Sequence, residues 1–171
     1  MKDNFKKERV NLAAAFRWAA RLNMHEAIAN HFSLAVSDDG SQFLLNPIGM
    51  HFSQICASDL LLIDSNNTET MSQPNAPDAT AWAIHGAMHR NNLHARCILH
   101  VHSKYATILS CLEDKTMKPI DQNTMRFYEK VSIDYDYDGM GLGDEAERLC
   151  TILGDNRSEE RRVGKECRSR W

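Results

Sequence analysis

The residues with the clearest chemical potential are His100 and His102, which close the apolar run Cys97-Ile98-Leu99-His100-Val101-His102. In a strand, side chains alternate with a period of two, so both imidazoles face the same way. Two neutral imidazoles on one face can grip a divalent metal such as zinc, which at catalytic sites commonly takes three protein ligands and keeps one position open. The alternative is a hydrogen-bonded strand end with no metal. A third ligand separates the two readings.

The remaining histidines are weaker candidates. His85 and His89 stand one helical turn apart, a spacing that serves either a pocket lining or a helix packed on a sheet. His51 is expected on a loop that approaches a neighbouring subunit, and His25 in a turn. Trp18 and Trp82 read as core residues of helices rather than as platforms for a cofactor. Gly139-Met140-Gly141-Leu142-Gly143 has neither a following G-K-[ST] nor dinucleotide-motif spacing, so it reads as a glycine-rich connection.

The elements that must position these residues are legible in outline. Leu12, Ala15, Phe16, Ala19 and Leu22 form one stripe of a helix over residues 10–22. His31 to Ser37 alternates, with Phe32, Leu34 and Val36 on one face; Asp38-Asp39-Gly40 supplies a turn into a second strand, Gln42 to Leu45. Asn46-Pro47-Ile48-Gly49 is a loop, 60–63 a short strand and 64–77 a polar connection. Asp78 is placed to cap a helix reaching about Asn91. The His-x-His strand follows, then a helix over 104–112 capped by Ser103, a strand over 131–137, and a helix from Gly143-Asp144 to a stop at Gly154. Hairpins interleaved with helices make the class α/β, with a mainly antiparallel or mixed sheet covered by helices.

Composition narrows the function classes. The 171 residues suit one domain with a proper core. No apolar stretch is long enough to span a bilayer and no secretory signal opens the chain, so a cytoplasmic protein without membrane partners is expected. No basic stripe interleaved with aromatics marks a nucleic-acid interface. The five cysteines are scattered and form no C-x-x-C pair, which suits free thiols. Residues 157–171 hold six basic and three acidic residues, leaving the remainder at net −6. That segment is similar to the conceptual translation of a sequencing-library adapter. The expected organisation is therefore a domain over 1–156, incomplete at its C-terminal end, and an appended artefactual tail over 157–171.

Taken in order, Leu12-Ala13-Ala14-Ala15-Phe16-Arg17, Ala29-Asn30-His31-Phe32-Ser33, Asn46-Pro47-Ile48-Gly49, Ala57-Ser58-Asp59-Leu60, Ile84-His85-Gly86-Ala87-Met88-His89 and Leu99-His100-Val101-His102-Ser103 resemble the class II aldolase/adducin family over residues 10–156. The resemblance implies a three-layer α/β/α fold around a central, mainly antiparallel sheet. It also implies a divalent metal, typically zinc, held by His100, His102 and a third histidine in a later segment. No histidine follows His102 in this chain, so the third ligand is expected in sequence beyond Asn156.

The implied activity is that of an aldolase or epimerase acting on a small hydroxy-carbonyl, sugar-type substrate, with the metal stabilising an enediolate. Asn30, Ser33, Gly49 and Thr80 match substrate-binding positions, although Ile48 stands where the family's aldolases carry a threonine. The glutamate that serves those enzymes as acid or base is replaced by Ala81. Asp78 is close enough to substitute, yet helix capping is its simpler role. A homo-oligomer, a tetramer by family analogy, is implied as well. The alternative function is an adducin-like, non-catalytic interaction domain of the cytoskeletal type, a branch that also lacks the glutamate and keeps an H-x-H.

Overall fold

A computed structural model describes residues 4–73, 76–136, 141–156 and 158–161, the last four as backbone only. Helix α1 (Lys6–Arg21) leads into an antiparallel hairpin, β1 (His31–Ala35) and β2 (Gln42–Leu45), followed by β3 (Leu61–Asp64) and a short 3-10 turn at Thr68–Ser72. Helix α2 (Ala79–Asn91), strand β4 (Cys97–His100), helices α3 (Lys104–Ser110) and α4 (Gln122–Met125), strand β5 (Val131–Asp134), helix α5 (Asp144–Leu153) and strand β6 (Ser158–Arg161) complete the order. The main sheet runs β3-β2-β1-β4, antiparallel throughout; β5 and β6 form a separate parallel pair. Strand β6 falls inside the segment expected to be appended, and the rest of that segment lies outside the described residues.

Alternation along β1 and β2 divides the protein into layers. Phe32 and Leu44 face α1, where Leu12, Phe16 and Ala19 close a core with Phe52, Ile55 and Leu60. Phe16 stacks on Phe32 at 4.7 Å and meets Phe52 edge-on. The opposite face carries Phe43, Leu45 and Ile63, which pack on Ala81 at the start of α2. Further along α2, Ile84, Ala87 and Met88 bury against Ala146, Leu149 and Cys150 of α5. This is the expected α/β/α layering, with a polar exception: His31 and Ser33, on the α2 side of β1, are buried.

Two local devices set where α2 lies. Asp78 caps it, its Oδ1 accepting from the N–H groups of Thr80 (2.9 Å) and Ala81 (3.0 Å). At the other end, Gly40 in the β1–β2 turn has φ +72°, and a Cβ there would lie 2.0 Å from the His89 carbonyl oxygen. Only glycine permits both the left-handed turn and this approach of the hairpin to the helix.

Several expectations need correction. Trp18 is 59% exposed, with the Arg21 guanidinium over its ring, and Leu22 is exposed as well. Relative to Phe16, Trp18 lies about 200° around the helix, off the buried stripe. Strand β4 stops at His100, so His102 lies just past it, and Ser103 makes no side-chain cap to α3. The expected strand over 131–137 ends at Asp134, and Tyr137 to Met140 lie outside the described residues. Cys56, Cys97 and Cys111 carry exposed thiols outside any disulfide, and the buried Cys150 thiol donates to the Ala146 carbonyl.

Candidate metal centre

Strand β4 lies at the edge of the main sheet, paired with β1 in a register that sets His100 opposite His31. The chain leaves the strand at Val101 and brings His102 back towards His100, so that the two Nε2 atoms lie 3.0 Å apart. The other nitrogen of His102, Nδ1, donates to Glu26 Oε2 at 2.7 Å. A carboxylate on Nδ1 fixes ring and tautomer, leaving the Nε2 lone pair of the neutral ring directed at His100. Glu26 comes from the loop after α1, and the Asn30 Oδ1 accepts from its backbone N–H at 2.6 Å.

This donor pair fits a divalent metal. Two nitrogens bound to one tetrahedral zinc at about 2.05 Å stand roughly 3.3 Å apart, close to the 3.0 Å between His100 and His102. Imidazole nitrogen is a preferred donor for zinc and its neighbours. Among the described residues, no cluster of three His, Cys, Asp or Glu side chains could hold an ion. Within the described residues, the pair offers two of the donors such an ion would need.

Beneath it lies a second set of histidines. His31 stacks on His100 with ring centroids 4.3 Å apart and planes 10° from parallel. Its Nδ1 bonds His85 Nε2 at 2.6 Å; His85 Nδ1 bonds Ser33 Oγ; Ser33 Oγ bonds His89 Nε2 at 2.7 Å; and His89 Nδ1 bonds the Ala95 carbonyl at 3.0 Å. The ring nitrogens of His85 and His89 are thus all spent on hydrogen bonds inside the protein. Burial, reinforced by the neighbouring histidines, pushes the His85 pKa well below the ordinary value, and burial holds His89 at about 4. Both rings are neutral at pH 7.

The expected substrate residues are set differently from one another. Asn30 is 3% exposed, and its Nδ2 is buried with no hydrogen-bond partner among the described residues. Gly49 sits at φ +76° with open space where a Cβ would be, on the loop that Asn46 ties to β1 by accepting from the Phe32 N–H. Thr80, in the first turn of α2, donates its hydroxyl to Asp78. Ser33 is fully buried and its hydroxyl is engaged by His85 and His89, a different setting from the substrate contact expected of it. Ala81, one turn before His85 on the same face of α2, is 1% exposed.

Asp78 is occupied by its cap. Burial alone would raise its pKa, but the Thr80 hydroxyl, the Ala81 N–H, the charge at His31 and the Thr80 N–H together hold it below the ordinary value. His25 and His51 face each other at 2.7 Å between Nε2 atoms, beside a shallow depression of about 480 Å³ flanked by Arg17 and Arg21. Sequence reading missed Glu26, His31 and the role of Ser33. The available signal was the antiparallel register, which brings the segment around Asn30-His31 alongside His100.

Comparison with known proteins bears on the family and the fold. Residues 10–161 match the family model described as the Class II Aldolase and Adducin N-terminal domain. A "putative aldolase class 2 protein" of Pseudomonas aeruginosa is 31% identical over 147 residues, 85% of this chain and 56% of the relative. An adducin-related protein of Schizosaccharomyces pombe is 32% identical over 113 residues, 61% of this chain and 34% of its own length. The crystal structure of an aldolase II superfamily protein from Pseudomonas syringae superposes with a TM-score of 0.78 at 31% identity, covering 90% of this chain and 62% of that one. The chain thus spans little more than half the length of its aldolase-type relatives.

Proposed function

The chain belongs to the family of class II aldolase and adducin N-terminal domains, and we propose that it is a divalent-metal-dependent aldolase- or epimerase-type enzyme acting on a small hydroxy-carbonyl substrate. The observation that carries this reading is the convergence of His100 Nε2 and His102 Nε2 at 3.0 Å, with Glu26 holding the second ring from behind. These two residues would hold the ion, zinc by its preference for neutral imidazole, and a further ligand would come from outside the described residues. When bound, the metal supplies Lewis-acid stabilisation of negative charge developing on the substrate oxygens.

The rest of the work falls to the chain's own groups. Asn30 Nδ2, a buried donor with no described partner, is suited to donate to a substrate oxygen, because such a donor otherwise forfeits its hydrogen bond. Gly49, with its open position, and Thr80 would line the same substrate region. The glutamate position is Ala81, which moves no proton, and Asp78 spends its Oδ1 on α2. We assign the proton transfer to none of these side chains. The enzyme would work as a homo-oligomer in the cytoplasm; no helix among the described residues is long and apolar enough to cross a membrane.

Ala81 also favours a second reading, an adducin-like interaction domain in which the fold serves assembly. Elemental analysis tests the metal itself, using protein expressed from the genomic reading frame and purified without chelator. About one equivalent of divalent metal per chain is expected, absent from a His100→Ala/His102→Ala variant; equal metal in both overturns the metal site. Turnover of small hydroxy-carbonyl compounds by the metal-loaded protein then favours the enzyme. Metal without turnover across such a panel favours the interaction domain.

A further inference from the structure

We propose that Ser33 and His85 are positioning residues: with His89 they form a buried, one-directional column that orients His31 and, through its stacked ring, His100. This rests on reading His100 and His102 as metal ligands.

The direction of the column follows from its far end. The Ala95 carbonyl can only accept, so His89 donates to it through Nδ1. His89 is neutral at pH 7, which leaves Nε2 as an acceptor, and the Ser33 hydroxyl must donate to it. That proton is the only one Ser33 has. Ser33 Oγ therefore accepts from His85 Nδ1–H. His85, fully buried and neutral, then has Nε2 as its acceptor, and His31 must donate through Nδ1. One backbone oxygen thus dictates the protonated nitrogen of three imidazoles in series.

The orientation follows from the same bonds. With Nδ1 of His31 held at 2.6 Å from His85 Nε2, the ring cannot flip without breaking a buried hydrogen bond. Its plane is thereby set parallel to His100, 4.3 Å away, and it forms a wall against which His100 packs. His102 is steadied separately by Glu26. Each imidazole of the pair thus has its own support, a stacked ring for His100 and a hydrogen-bonded carboxylate for His102.

The protein from the genomic reading frame supplies two tests. Two-bond imidazole ¹⁵N–¹H correlation of the metal-free wild type is expected to show His31, His85 and His89 all protonated on Nδ1; an unprotonated Nδ1 on His31 or His85 overturns the column. Titration with Co²⁺ as a spectroscopic probe is expected to show affinity about 10-fold weaker in Ser33→Ala. Ser33→Thr, which restores a hydroxyl, should recover most of that loss. Ser65→Ala is the control, since Ser65 is a buried serine with no hydrogen-bond partner among the described residues. Wild-type Co²⁺ affinity in Ser33→Ala, or an equal loss in Ser65→Ala, overturns the positioning role. Wild-type affinity in His100→Ala/His102→Ala would instead defeat the metal reading; the column is then judged on the ¹⁵N spectrum, which needs no metal and no variant.

Discussion

Two pairs of histidines carry spacings that look equally suited to metal, and the structure treats them in opposite ways. His85 and His89, four residues apart on α2, have ring centroids 6.5 Å apart, and all four of their nitrogens are bonded inside the protein. His100 and His102, two residues apart at a strand end, bring Nε2 atoms to 3.0 Å, and His102 is held from behind by a carboxylate. Spacing alone does not select a metal pair. The difference lies in the partners: His85 and His89 end in a closed chain of internal hydrogen bonds, whereas the second nitrogen of His102 meets a carboxylate that leaves the other nitrogen directed at His100.

The largest expected effect comes from breaking the buried set. His85→Ala removes a fully buried ring, leaves a cavity, and breaks the bonds that His85 makes to Ser33 Oγ and His31 Nδ1. Cavity formation together with lost buried hydrogen bonds should cost about 4 kcal/mol in denaturant unfolding. A loss below about 1 kcal/mol would mean that the column is slack. Truncating His102, which is about 40% exposed, should cost stability far less, and that contrast is the comparison in its simplest form.

Acid should find the buried set next. His89 titrates at about 4 in the folded protein against an ordinary 6.5. The unfolded chain therefore binds more protons between those values, and stability falls as pH drops through that window. For His89 alone the loss from pH 6.5 to 4 is about 3 kcal/mol, and His85 shifts in the same direction. Unfolding midpoints measured across the window should show the decline, and His89→Gln should flatten it.

The exposed pair should respond in function rather than stability. Glu26→Ala removes a half-exposed carboxylate and keeps the backbone bond to Asn30. Stability should stay within about 0.5 kcal/mol, while metal affinity falls about 10- to 100-fold. Unchanged affinity in a Co²⁺ titration would show that His102 needs no orienting partner.

Local patterns in the sequence foretold the elements but not the partners of the site. Periodicity placed α1, and the turn chemistry of Asp38-Asp39-Gly40 placed the β1–β2 hairpin. Asp78 and Gly154 marked helix ends correctly, because caps are satisfied within a few residues. Helix α4 was missed although its signal was present: Asp121 and Thr124 form a reciprocal capping box. The site depends on longer reach. Glu26 meets His102 across 76 residues, and Ser33 meets His85 across 52. Neither contact follows from spacing; both follow from the register of β1 against β4 and from the way α2 lies on the sheet.

The smallest effect tests what Asp78, whose carboxyl is influenced by the charge at His31, is for. An acid or base that works near neutrality is served by a carboxyl pKa raised towards the working pH, whereas Asp78 is held below its ordinary value by the bonds it accepts. Capping predicts a specific pattern. Asp78→Asn keeps an acceptor oxygen and should leave stability within about 0.5 kcal/mol, while Asp78→Ala loses the bonds to Thr80 and Ala81 and should cost about 1 kcal/mol. The pH windows differ too. A lowered carboxyl contributes stability that is present above its unfolded pKa, near 3.8, and is lost as pH falls through its lower folded value. The Asp78 contribution thus disappears only after His89 has already charged. If Asp78→Ala steepens the decline between pH 6.5 and 4, the carboxylate is coupled to the histidine column through its charge at His31; if the mutant curve is only displaced there, Asp78 acts as a cap alone.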